Sequence, residues 1–215
     1  HWMVRRQRQM CIRDRSFIGS FGIGMIYGAS FGLIAVFGAK LGLSIFQISI
    51  LVFVNTFIGA LFQYPIGKLS DTFDRRIILL ILNIIALVSS ICVIIFGTFS
   101  FNILLLFVGI HSAVSLPYYA VVISHLNDFL EKDEVVSASS TLTLVNALGL
   151  VLGPIIVSGF MSYFDAYGLF YYCAIVYVFL ALFTYQRVRV GRTSEIYDEN
   201  TCLLYTSDAA DEPSS

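Results

Sequence analysis

Residues 77–96 read Ile-Ile-Leu-Leu-Ile-Leu-Asn-Ile-Ile-Ala-Leu-Val-Ser-Ser-Ile-Cys-Val-Ile-Ile-Phe, a run without a charge, entered through Arg75-Arg76 and left through Gly97. A bilayer core about 30 Å thick is crossed by roughly 20 apolar residues in a helix, and a run of that length is too long for a buried strand. The stretch predicts a transmembrane helix. Working outward, five further runs of the same kind occupy 17–39, 43–66, 101–124, 138–161 and 168–186, separated by short breaks of Gly, Ser, Asp or basic residues. Hydrophobic residues make up 58% of the chain and charged residues 13%, and the spans use nearly all of it, so no soluble catalytic domain of ordinary size fits. The expected fold class is an all-α membrane protein of six transmembrane helices, and its function has to sit within or between them.

The two ends read differently. Residues 5–15, RRQRQMCIRDR, resemble a basic anchor, yet as codons they fit an adapter oligonucleotide used in preparing sequencing libraries. The reverse complement of that oligonucleotide encodes Cys202 to Asp211 and then an acidic residue, which Glu212 supplies. Two unrelated peptides decoding as opposite strands of one oligonucleotide predict that 1–15 and 201–215 are adapter-derived artefacts, and such scars are set aside before fold reasoning. The domain expectation is a six-helix unit over 16–200, an interior piece of a longer gene. Cys92 and Cys173 lie in apolar spans and read as packing residues, so cysteine spacing offers neither a metal site nor a disulfide framework.

Orientation follows from Lys and Arg in short loops. Lys68, Arg75 and Arg76 lie between spans two and three, Lys132 between four and five, and Arg187, Arg189 and Arg192 after span six. All fall on one side, with Lys40 opposite. Both ends of the unit are therefore expected in the cytoplasm, the membrane being the bacterial cytoplasmic (inner) membrane. Tyr163, Phe164, Tyr167, Tyr171 and Tyr172 cluster at the external turn between spans five and six, at headgroup level.

Polar and small residues mark the faces that avoid lipid. Span one carries Ser20, Gly24, Gly28 and Gly32 at four-residue spacing, a stripe for close helix approach, with Tyr27 beside it. Span two places Asn55, Gly59 and Gln63 on one face, which should turn inward. In span four His111, Ser115 and Tyr118 share a face, and Pro117 removes a backbone hydrogen bond mid-helix. Span five offers Asn146, Gly149 and Gly153 on one face, then Pro154. Spans three and six, nearly uniform in aliphatic residues apart from Asn83, read as lipid-facing. His111 is the ionisable side chain lying well inside a span; it either carries a proton or anion, or acts as neutral structural glue bonded to Ser or Tyr, and both readings stay open.

Gly67-Lys68-Leu69-Ser70-Asp71-Thr72-Phe73-Asp74-Arg75-Arg76 resembles the cytoplasmic loop signature of the major facilitator superfamily, Gly-x-Leu-Ala/Ser-Asp-basic-x-Gly-basic-basic. Gly67, Leu69, Asp71, Arg75 and Arg76 match it, whereas Thr72 and Asp74 depart. Gly149-x-x-x-Gly153-Pro154 is similar to the Gly/Pro-rich fifth helix of one half of such a transporter. The resemblance implies two six-helix halves around a central cavity, with helices one and four of each half lining it and three and six outside. It also implies a cytoplasmic latch in which Asp71 and Arg75 meet helix ends of the opposite half, altered here by Thr72 and Asp74. A degenerate motif and a fourth span without Arg favour the second, C-terminal half.

The function expected is secondary active transport of a small solute by alternating access, with Tyr27, Asn55, His111, Ser115, Tyr118 and Asn146 as pathway candidates. Partners would be the lipid bilayer, the missing six-helix half of the same polypeptide, the small-molecule substrate, and a coupling proton or ion. The chain is not expected to be an enzyme. An intramembrane protease is the rival class, but His111, Ser112 and Ser115 share one helix and no Gly-x-Ser-x-Gly-like turn is present. A channel lacks its filter-like loop or ring of charges. The acidic run Asp128, Glu131, Asp133 and Glu134 reads as solvated loop, and no nucleotide, metal or nucleic-acid signature is found, so no cofactor is expected.

Overall fold

The computed structural model describes residues 2–128 and 132–186, with side chains described over 17–128 and 135–186. Glu131, Arg187, Arg189, Arg192 and the segment 201–215 lie outside the described residues. The helices are α1 (Trp2–Lys40), α2 (Ile45–Thr72), α3 (Arg75–Phe96), α4 (Phe101–Asn127), α5 (Lys132–Tyr163) and α6 (Gly168–Gln186). Each is long and apolar enough to cross a membrane, α1 through its Phe17–Lys40 portion. The chain is an all-α, multi-pass integral membrane protein, as its apolar runs require: in hydrocarbon every backbone N–H and C=O must be paired within the segment.

Short polar signals set the helix ends. Gly42 turns the chain with φ +73° after α1. Ser44 then opens α2 with a capping box: its Oγ accepts from Gln47 N at 3.3 Å, and Gln47 Oε1 accepts from Ser44 N at 2.9 Å. Asp74, off pattern in the loop motif, is the N-cap of α3, its Oδ1 accepting from Arg76 N at 2.9 Å. One boundary differs from the sequence expectation. Residues 67–72 were expected as loop, but α2 runs on to Thr72, past Pro65, because nothing stops it before the extended Phe73. The motif is thus the last turns of α2, a two-residue break and the start of α3.

In the packing, α1 lies along α5, while α2 and α3 both lie along α4. The sixth helix meets α1 through Phe37–Phe170 and Gly22–Leu180, α3 through Asn83–Thr184, and α4 through Ser115–Tyr177. The result is uneven enclosure: 61% of the α1 and α4 spans is buried, against 28% for α5 and 17% for α2. The helix α3 is two-sided. Asn83, Ser89 and Ser90 are buried, and Ile81, Ile84, Val88, Ile91 and Ile95 are exposed. The three-residue stripe of α2 divides, with Asn55 and Gly59 buried and Gln63 exposed, because the buried face of α2 follows α4 only from Leu51 to Gly59 across the membrane.

Glycine governs the α1–α5 crossing. A Cβ at Gly24 would overlap the Asn146 carbonyl, at Gly28 that of Leu150, at Gly149 that of Phe21, and at Gly153 that of Met25. Backbone therefore lies on backbone, close enough for Cα–H···O contacts. The Pro154 ring packs over Gly28 and, more loosely, Gly32. At one end of this seam Ser20 Oγ donates to Leu142 O at 3.0 Å and Asn146 Nδ2 donates to Ser20 O at 2.9 Å. At the other, Lys40 Nζ donates to Met161 O at 3.1 Å and pairs with Asp165 at 3.2 Å. Lys40, the basic residue on the expected external side, thus sits where a cation satisfies the carbonyl end of α5.

Candidate functional site

Two turns of α4, residues 111–119, carry hydrogen bonds to every other helix. Ser112 Oγ donates to Asn55 Oδ1 of α2 at 2.6 Å. His111 Nδ1 lies 3.1 Å from Ser90 Oγ of α3, and Asn83 Nδ2 of α3 donates to Tyr118 Oη at 3.2 Å and to Thr184 Oγ1 of α6 at 3.4 Å. Ser115 Oγ lies 2.5 Å from Tyr177 Oη of α6. Tyr27 Oη of α1 donates to Ser115 O at 2.9 Å and Leu116 O at 2.6 Å. Tyr119 Oη donates to Thr143 Oγ1 of α5 at 2.9 Å. Pro117 stands in the middle of this segment, inside the helix and buried.

The sequence chemistry explains why these groups pair. A hydroxyl or amide in hydrocarbon costs several kcal/mol unless bonded, so each polar side chain of a span either bonds back to its own helix or finds another. Ser49, Thr56, Ser140 and Ser158 take the first course, donating to carbonyls three or four residues earlier. The hub residues reach another helix, Ser90, Ser115, Thr143 and Thr184 while also donating to carbonyls of their own.

His111 pairs one ring nitrogen with another helix and leaves the other nitrogen without a partner. Ser90 Oγ donates to Ala86 O at 2.8 Å, which commits its proton and assigns the Nδ1 hydrogen to His111. Nε2 is then a bare acceptor, buried without a hydrogen-bond partner. Phe170 and Tyr177 meet the ring edge-on, each with centroids 5.6 Å away. The imidazole is 1% exposed and so is enclosed among α3, α4 and α6.

Five of the six pathway candidates, Tyr27, Asn55, His111, Ser115 and Tyr118, come together in this hub, whereas Asn146 lies in the α1–α5 seam. Sequence reasoning missed Tyr177, Thr184, Thr143, Tyr119 and Ser90. Tyr177 carried a signal: a tyrosine at mid-span depth, away from the interfacial belts where such rings collect, needs a partner for its hydroxyl.

A second cluster lies at the motif end. Arg75 bridges Asp71 at 3.0 Å and Asp128, at the end of α4, at 3.0 Å, and its Nε donates to Ser70 O at 3.3 Å. One guanidinium fork thereby ties the ends of α2 and α4 to the start of α3. Asp128, read from sequence as solvated, is one of its two carboxylate partners. Arg76 contributes its backbone amide to the Asp74 cap, Leu69 is exposed, and an added Cβ at Gly67 would meet open space.

The hub has no hydrolytic arrangement. Ser115 Oγ donates to His111 O at 2.6 Å, Ser112 to Asn55, and the imidazole faces Ser90, whose proton is taken by Ala86. No serine among the described residues is paired to a base beside an open site. Six membrane helices tied through a polar segment of α4 define a polytopic membrane protein. The chain belongs to the Major Facilitator Superfamily, whose family model matches residues 16–200. It is also 28% identical over 171 residues to an uncharacterized MFS-type transporter, YfkF, of Bacillus subtilis (strain 168). That match covers 78% of this chain and 43% of the relative, so the chain spans less than half the length of the protein it matches. The family is one of transporters, not enzymes.

Proposed function

We propose that this six-helix unit is one half of a secondary transporter that moves a small solute by alternating access, completed by a second six-helix unit of the same polypeptide. The observation that carries the reading is the uneven enclosure: α1 and α4 are the buried pair, while α2 and α5 are the most exposed helices. Their exposed residues include Thr56, Gln63, Ser140 and Ser158 beside Phe57, Leu61, Leu148 and Leu152. Thr56, Ser140 and Ser158 bond back to their own helices, but the exposed amide of Gln63 does not suit lipid, and an aqueous path between two units along these faces accounts for it. Motif matches, family membership and a relative of which the match covers 43% support the same reading.

On this proposal both ends of the unit face the cytoplasm of a bacterial inner membrane, and the stretches 1–15 and 201–215 contribute nothing to transport. Coupling to a proton is a second element, favoured by the unpaired Nε2 of His111, with no carboxylate buried among the described residues. Replacing His111 by Gln in the full-length transporter should then flatten the pH dependence of uptake; unchanged rate and pH profile would leave His111 a structural pin. The main test needs no known substrate. Single cysteines replacing Gln63, Ser158 or Leu148 in the cysteine-free full-length protein are treated with a membrane-impermeant maleimide. Labelling at Gln63 and Ser158 but not at Leu148 is expected, and equal protection of all three would sink the two-half reading.

A further inference from the structure

Tyr27 stands between the two ways in which α1 is held. Gly24 and Gly28, three residues before it and one after, press backbone to backbone on α5. Tyr27 itself points to α4, its ring held edge-on by Phe31 at a 6.0 Å centroid distance. Its hydroxyl donates to the carbonyls of Ser115 and Leu116, the two residues before Pro117. Ser115 C=O and Tyr119 N–H are the acceptor and donor of one rung of an unbroken α-helix. The hydroxyl therefore engages the acceptor of that rung, two rungs after the one from Pro117 to Ala113 that the proline removes. Helix bends arise where a proline or an inserted side chain interrupts the ladder, and here a proline and a hydroxyl bonded to two ladder carbonyls fall within two residues.

We propose that Tyr27 is the positioning residue that sets the bend of α4 at Pro117, and that its hydroxyl lets go of the Ser115 and Leu116 carbonyls when α1 and α4 change their crossing. The second clause rests on the transporter reading above; the first does not. The chemistry favours an exchangeable contact. A bond from a side-chain hydroxyl to a carbonyl is worth little more than one to water or to a solute hydroxyl, so it can be traded as the crossing opens. The same α4 segment is tied to α3, α5 and α6 by Tyr118, Tyr119 and Ser115, so a change of bend at Pro117 reaches those helices through bonds already in place.

The test uses the full-length polypeptide in lipid nanodiscs, with Tyr27→Phe removing the hydroxyl and keeping the ring. Amide hydrogen exchange of the peptide covering 113–121 should quicken by about 3- to 15-fold, the range that loss of one intramembrane hydrogen bond gives, while peptides of the α1–α5 seam stay unchanged. Pro117→Ala restores a backbone donor, and on that background the Tyr27→Phe effect should shrink to less than about twofold. Equal exchange in wild type and Tyr27→Phe, or the same acceleration with and without Pro117, overturns the positioning role. For the release step, the maleimide labelling ratio between a cysteine at Thr72 and one at Ser162, at opposite ends of the unit, should shift severalfold in Tyr27→Phe. A wild type with one fixed accessibility pattern takes down the release step together with the transporter reading, and hydrogen exchange still decides the bend. A wild type with two patterns and a Tyr27→Phe ratio identical to it overturns the release step alone.

Discussion

The first helix meets its two main neighbours by opposite physics. Against α5 it presents glycines to backbone carbonyls and α5 presents glycines in return, so that at Gly24, Gly28, Gly149 and Gly153 the contact is backbone on backbone. Against α4 it presents Tyr27, a long lever ending in one hydroxyl on two carbonyls beside a proline. The first contact has no adjustable part: dispersion falls off steeply with separation, and any added methyl meets a carbonyl oxygen. The second can be broken and remade at the cost of one hydrogen bond. In a lipid setting, where the hydrophobic effect does not hold helices together, this difference separates a seam that fixes the architecture from a joint that can move.

The largest effect should come from forcing side chains into the seam. Gly28→Leu or Gly153→Leu is expected to destabilise by about 3 kcal/mol or more, seen as loss of a monodisperse peak in detergent. Gly159→Ala, with nothing near the new methyl, should be neutral or up to about 1 kcal/mol stabilising through helix propensity. A wild-type melting curve for Gly28→Leu would refute the seam. Next in size is Asn83→Leu, which cuts the bonds to Tyr118 and Thr184 together and should cost about 1–2 kcal/mol in unfolding by dodecyl sulfate titration. Asn146→Ala, which opens one end of the seam at Ser20, should cost about 1 kcal/mol. If Asn146→Ala costs more than Gly28→Leu, hydrogen bonding and not close approach holds α1 to α5.

The smallest effect belongs to the motif end. Arg75→Gln removes two ion pairs, but Asp71 and Asp128 are 65% and 48% exposed. Solvent screening leaves less than about 1 kcal/mol, fading further as salt is raised. A loss that large salt does not diminish would mean that the fork to Ser70 O, and not the charge, carries the contact.

Much of this architecture was legible in the sequence. The six spans could be read because each apolar run is a local property matched to bilayer thickness. The glycine stripes of spans one and five could be read as close-packing faces, and Pro117 as a break in α4. Asp74 could not be read as a cap, because the loop pattern has a glycine at that position and the apolar run that marks α3 starts only at Ile77, two residues after the helix itself. Asp128 was missed for a similar reason: an acidic residue after an apolar span looks solvated until the arginine that faces it is placed.

By itself the sequence determined that the chain is helical, that it crosses a membrane, and which faces carry small or polar residues, because these follow from the hydropathy and periodicity of single segments. Only the tertiary structure decided who meets whom. Ser20 meets Leu142 and Asn146, over a hundred positions away, and Asn55 meets Ser112, 57 positions away. All six helices are apolar and their stripes are chemically alike, so nothing in one stripe names its partner. That choice is made when close approach of backbones and the pairing of every buried hydroxyl and amide have to be met at once.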